Sequence, residues 1–194
     1  MSDCQGCGGE TMQDVMADHG LPVGQQKASP VRLTWQPLSE PLERRVRDVL
    51  DGWHETPYIN VPPVRGRGAN CVGLVAGVFD ELFRRPEPSY LPRLAPDAGI
   101  HQDDGGDRTI TALHELTGAK RVTDGSIQPG DLIGSYGESP ASPERKAHIL
   151  IAGCDRWRLL HAYRGAGKVV WTSVGVMESR IIAVYRVPNR ERWL

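Results

Sequence analysis

The run Cys71-Val72-Gly73-Leu74-Val75-Ala76-Gly77-Val78-Phe79 is the longest apolar stretch in the chain, and only Asp80 and Glu81 separate it from Leu82 and Phe83. Val72, Val75, Ala76, Phe79, Leu82 and Phe83 recur at helical spacing and make a stripe too broad for a surface helix. The pattern predicts a helix over 71–84 buried within a core. After Gly118 the pattern changes. Segments 131–136, 147–153, 157–163, 168–173 and 180–187 read as strands, several with period-two alternation, separated by turn signals such as Gly153-Cys154-Asp155 and Gly165-Ala166-Gly167. Helices first and strands second, without βαβ alternation, predict an α+β fold with the buried helix packed on an antiparallel sheet.

Upstream, Ser39-Glu40-Pro41-Leu42-Glu43 has the cap residue, early proline and early acids of a helix start. Leu42, Val46, Val49, Leu50 and Trp53 give that helix its apolar face, with an end near Gly52. Residues 56–70 and 86–107 are rich in proline and glycine and read as loops, with a short helix expected over 108–116. Tyr136–Arg145, with Pro140 and Pro143, reads as a loop that walls a cleft. Residues 1–38, with Pro22, Pro30 and Pro37 and a single short helical pattern over 11–19, read as an extended arm. Residues 39–194 are then the globular domain. Trp193 is a candidate anchor for a partner.

The charge balance of 23 Lys+Arg against 24 Asp+Glu, a net −1, lacks the basic footprint of a nucleic-acid protein, so no nucleic-acid partner is expected. The apolar run is short of the roughly 18 residues a membrane helix needs, so no membrane segment is expected. Met1-Ser2-Asp3-Cys4-Gln5 has neither the basic nor the apolar region of a secretory signal.

Chemistry gathers at Cys71, which opens the buried helix directly after a loop. A helix N-terminus favours an anion and should lower the pKa of a thiol placed there. A buried cysteine that only packs the core is the alternative. His148 and His161 fall on consecutive expected strands. Pairing through the turn at Gly153–Asp155 would bring both histidines to one end of the sheet. A polar strand-edge residue and a satisfied core histidine are their alternatives. Cysteine, histidine and a third polar group that orients the histidine form a nucleophilic triad. Cys4 and Cys7 are a weak candidate metal pair that lacks a second pair, and no cofactor is expected. Cys154 reads as structural.

The residues carry a family resemblance. Thr56-Pro57-Tyr58, Asn70-Cys71-Val72-Gly73-Leu74-Val75, Gln128-Pro129-Gly130-Asp131-Leu132-Ile133, Ala147-His148-Ile149 and Leu160-His161-Ala162 occur in the order found in the NlpC/P60 cysteine peptidases. The chain resembles that family over about residues 40–188. The resemblance implies a papain-like fold and hydrolysis of peptidoglycan stem peptides, usually at a D-glutamyl–diamino acid bond. It implies Cys71 as nucleophile, His148 as base, His161 as the group orienting His148, and Tyr58 as a residue lining the site that helps bind the oxyanion. The sequence departs from the family pattern at Asn70 and Val72, where Asp and Ser are common.

The run Cys71–Leu82, and Lys146-Ala147-His148 after a proline-bearing loop, are similar to the subset encoded beside bacteriophage tail genes. That implies synthesis in a host cytoplasm, a place in the virion at the tail tip, and contact with tail-tip proteins through the N-terminal arm. A structural tail-tip or baseplate subunit that keeps the peptidase fold is the alternative function.

Overall fold

The structure is a computed structural model and describes residues 33–59, 62–84, 117–139, 142–177 and 181–194. The arm over 1–32, Cys4 and Cys7, and the helices expected over 11–19 and 108–116 lie outside the described residues. Of the expected arm, only 33–38 is described. There β1 (Thr34–Trp35) pairs in parallel with β3 (Ser126–Ile127), and Trp35 lies 6.1 Å from Trp157 between ring centroids.

Helix α1 (Glu40–Trp53) begins after Ser39, whose side chain makes no capping bond. Pro41 in the first turn, the acids Glu40 and Glu43, and the bond from Glu43 N–H to the Ser39 carbonyl (2.9 Å) set its start instead. Leu42, Val46, Val49, Leu50 and Trp53 are all buried, as their spacing predicts. Helix α2 (Cys71–Leu82) is buried along Val72–Phe79 without a break, so it is a core helix as expected. It crosses α1 at Gly77. A Cβ on Gly77 would stand 2.3 Å and 2.4 Å from Cζ2 and Cη2 of the buried Trp53. The missing side chain is what lets the two helices approach.

Among the described residues, six strands form one antiparallel sheet in the order β2-β8-β4-β5-β6-β7. They are β2 (Lys120–Val122), β4 (Leu132–Ser139), β5 (Ser142–Ala152), β6 (Arg158–Tyr163), β7 (Lys168–Ser173) and β8 (Ile181–Arg186), with a one-turn helix α3 (Val174–Met177) between the last two. The α+β order expected from the sequence is the order observed. Alternation along the strands gives the sheet two apolar faces. One, with Leu132, Ile149, Ile151, Leu160 and Ala162, packs against α1 and α2. The other, with Ile133, Leu150, Leu159 and Val184, packs under Val174, Met177 and the β1–β3 pair.

Two expectations need correction. Within 136–145 the described residues, 136–139 and 142–145, are strand and not loop, because pairing continues through Tyr136↔Ala147 and Gly137↔Lys146 to Ser139↔Ser142. Pro143 falls at the second residue of β5, where a strand tolerates a missing N–H. Trp193 is no surface anchor. The 3-10 turn Arg190–Trp193 folds it fully into the core, edge-on to Phe79 (5.7 Å) and Phe83 (6.0 Å).

That turn is fastened by Asp131, which is completely buried. Arg186 reaches both carboxylate oxygens (3.1 and 2.8 Å), Arg190 bonds Oδ1, and Gln128 donates its backbone N–H to Oδ2 (2.8 Å). Arg190 also donates to the carbonyls of Pro129 (3.1 Å) and Val187 (3.2 Å). A buried carboxylate needs this degree of pairing. Asp131 thereby ties the start of β4 to the chain beyond β8. No helix among the described residues is long and apolar enough to cross a membrane.

Candidate active site

Cys71 is the first residue of α2, and Asn70 fixes that start. Asn70 is buried in extended conformation (φ −97°, ψ −175°), and its Oδ1 accepts the Gly73 N–H at 2.7 Å. This is an N-cap made without charge. The position where the resembling family often has Asp is therefore filled here by a neutral capping residue.

The backbone N–H groups of Cys71 and Val72 both lower the thiol pKa, as the helix N-terminus leads one to expect. Burial outweighs them and pushes the thiol up to about 11. The expected lowered pKa is corrected: Cys71 rests as a thiol.

The loop before α2 clips its start to the open end of the sheet. Glu55 N–H donates to the Val169 carbonyl (3.0 Å), Val169 N–H to the Thr56 carbonyl (2.7 Å), and Tyr58 N–H to the Gly167 carbonyl (2.7 Å). Residues 55–58 thus cover the edge of β7. Ala69 N–H donates to the Pro57 carbonyl (3.0 Å) and Ile59 N–H to the Ala69 carbonyl (3.3 Å), so the residues just before Cys71 lie beside Tyr58. The Tyr58 phenol is half-buried. Its pKa is raised by burial first and by Cys71 second, while Arg164 opposes the shift. Tyr58 therefore keeps its proton and stays a hydrogen-bond donor beside the thiol.

His148 and His161 meet. The β5–β6 register Ile151↔Leu160 and Ala152↔Leu159 closes through the Gly153–Asp155 turn, which is the pairing the sequence suggests. His148 Nε2 lies 2.8 Å from His161 Nδ1, with ring centroids 5.0 Å apart and planes at 71°. His161 is buried, and its ring stacks on Tyr163 at 5.5 Å. Burial lowers the pKa of both, His148 to about 3 with help from His161, and His161 to about 4. Both rings are neutral at pH 7. Because Nε2 of His148 is engaged by His161, Nδ1 is the nitrogen left to serve as a base.

The two pairs are related through one turn and not by direct contact, since neither Cys71 nor His148 shifts the pKa of the other. Tyr163 pairs with Lys168 across β6–β7, Pro57 bridges Lys168 from the other side, and Arg164 acts on Tyr58. Helix α2 packs on β5 and β6, the strands that carry the histidines, through the Ile149, Ile151, Leu160 and Ala162 face. Cys154 lies elsewhere, in the β5–β6 turn. Its thiol donates to the Glu43 carbonyl (3.3 Å), and burial raises its pKa to about 12, which fits the structural role expected of it. Among the described residues no group of three or more His, Cys, Asp or Glu side chains is arranged to hold a metal ion.

The sequence reading missed Tyr163 and Arg164. Tyr163 and Arg164 look like ordinary turn residues until β6–β7 pairing places them beside the site.

No protein-family model matches the chain, and no curated protein matches it. Among solved structures the chain is similar to the NlpC/p60 domain of the peptidoglycan hydrolase SagA, with 15% identity, 75% of this chain and 98% of that chain covered, and a TM-score of 0.48. It is also similar to an NLP/P60-family protein, described as similar to lipoprotein, from Staphylococcus aureus (17% identity, 84% of this chain and 45% of that, TM-score 0.47). A third is an NlpC/P60 family protein from Bacillus cereus (16% identity, 75% and 40% covered, TM-score 0.46). The chain thus spans nearly all of the first and less than half the length of the other two.

Proposed function

We propose that this chain is a cysteine peptidase that hydrolyses peptidoglycan stem peptides, with Cys71 as nucleophile, His148 as base and His161 as the group that orients His148. The hydrogen bond between His148 Nε2 and His161 Nδ1 (2.8 Å) carries the reading. It supplies the third member of a triad and leaves Nδ1 of His148 free for the thiol proton.

Burial disfavours each charge taken singly, the Cys71 thiolate and the His148 imidazolium. Moving the thiol proton to Nδ1 creates the two together, and their attraction offsets much of that cost. The thiolate sulfur bonds to the peptide carbonyl carbon, and the oxygen takes the negative charge. Tyr58 and the first N–H groups of α2 are the donors available to it, each worth a few kcal/mol of barrier in sites of this type. His148 then passes its proton to the leaving nitrogen as the C–N bond breaks. Water attacks the thioester, giving a proton to His148, and the C–S bond breaks to restore the thiol.

The motif resemblance supports the stem peptide as substrate and the D-glutamyl–diamino acid bond as the bond cut. The tail-tip setting and docking through residues 1–38 belong to the same proposal, supported by the likeness of Cys71–Leu82 to the phage-tail subset. Mass spectrometry of peptidoglycan fragments tests the activity. Wild-type protein should release new stem-peptide products, and Cys71→Ala should release none. Products that persist in Cys71→Ala would remove the thiol from the mechanism.

A further inference from the structure

The connection from β6 to β7 holds one definite shape. It is the 3-10 turn Arg164–Ala166, closed by the Gly167 N–H on the Arg164 carbonyl (3.1 Å). Gly167 stands in the left-handed region (φ 69°, ψ 13°), where a side chain would be strained. Gly165 answers a different need. A Cβ there would lie 2.7 Å from Cζ and 2.8 Å from Oη of Tyr163, so the missing side chain lets that ring fold back over the turn while it stacks on His161. The Gly167 carbonyl then accepts the Tyr58 N–H (2.7 Å), which fixes the turn to the residue that neighbours the thiol.

Arg164 is carried by this turn. Behind burial, the groups that shift the Tyr58 phenol are Cys71, which raises its pKa, and Arg164, which lowers it. The thiol, the phenol and the guanidinium therefore share one neighbourhood. Arg164 is exposed and has no carboxylate partner among the described residues. Lys168, the next cation along the chain, differs in that Glu55 neutralises it at 2.6 Å. The turn thus presents beside Tyr58 a positive charge that no group among the described residues balances.

We propose that Arg164 binds a carboxylate of the substrate and makes the protein selective for peptides that carry one next to the bond cut. The guanidinium fork matches a carboxylate in two parallel N–H···O bonds. A glutamyl residue has two carboxyl groups. When one forms the bond cut, the other stands free a few bonds away. Arg164 makes and breaks no covalent bond, and its contact is the same before and during the reaction, so it acts on KM. The inference rests on the peptidase reading and names which peptides that site takes.

Wild type and Arg164→Gln are compared on two synthetic stem peptides that differ at one group, a free glutamyl carboxylate or its carboxamide. Wild type should cleave the carboxylate peptide with about tenfold higher kcat/KM, the low end for a hydrogen bond to a charged group, and added salt should erode the preference. Arg164→Gln should lose the preference through a higher KM at unchanged kcat, and Arg164→Lys should regain part of it. Tm should not move, because the side chain is exposed. A wild type that takes both peptides alike would overturn the proposal, as would a preference that survives Arg164→Gln at full strength. Calorimetric titration of Cys71→Ala, with and without Arg164→Gln, repeats the comparison by binding alone. If wild type cuts neither peptide while Cys71→Ala binds the carboxylate peptide more tightly through Arg164, the peptidase reading fails and the carboxylate site stands. Equal or absent binding of both peptides would remove the site.

Discussion

Gly77→Ala puts the packing of α1 on α2 to a quantitative test. The added Cβ would lie 2.3 Å from Cζ2 and 2.4 Å from Cη2 of Trp53. Carbon atoms rest about 3.5–4.0 Å apart, so the overlap is at least about 1.2 Å. Trp53 is 2% exposed and has no free space to enter. The helices must separate, at a cost near the top of the roughly 1–3 kcal/mol usual for overpacking. Replacing a mid-helix glycine with alanine returns about 1 kcal/mol of helix propensity. The net is a loss of about 2 kcal/mol, or about 4–8 °C in Tm for a chain of this length. Trp53→Phe removes the two clashing atoms together with an indole N–H that has no partner among the described residues. In that background Gly77→Ala should be neutral or stabilising, a coupling of about 2 kcal/mol in a double-mutant cycle read by thermal and urea denaturation. A rise in Tm for Gly77→Ala in the wild-type background would refute the close approach.

Asp131→Ala leaves Arg190 buried without its anion and should cost about 3–5 kcal/mol by urea titration. Asn70→Ala removes the α2 cap, costs about 1–2 kcal/mol, and should speed alkylation of Cys71 as the first turn frays. The histidine pair sets a pH dependence. His148 and His161 titrate near 3 and 4 in the folded protein against about 6.5 when unfolded, so the unfolded chain binds more protons between those values. Tm should therefore fall as pH drops from about 6.5 toward 4, and His161→Gln should flatten part of that slope.

The sequence made the periodic elements legible. Leu42, Val46, Val49, Leu50 and Trp53 marked one helix face, and the all-round apolar run from Cys71 marked a core helix. Alternation found the longer strands but missed Lys120–Val122 and Ser126–Ile127, which are too short to show a period. Two prolines hid the pairing of 136–139 with 142–147, because proline weighs against a strand except near its start. The Asp131 clamp joins residues 55 and 59 positions apart, a separation no local pattern encodes. For Cys71 the sign of the helix effect was readable, whereas the depth of burial that outweighs it is a tertiary quantity.

The sheet order has a consequence for biosynthesis. β8 emerges from the ribosome after every other described strand, yet it lies inside the sheet, between β2 and β4. Until it arrives, β4 presents an open backbone edge and β2 has no sheet neighbour, which is the condition for pairing with the wrong chain. The Asp131 clamp and the seat of Trp193 also wait for residues 186–193. A nascent chain stalled before Ile181 should therefore stay open to protease and engage chaperones. Native resistance should appear abruptly once β8 is available to pair.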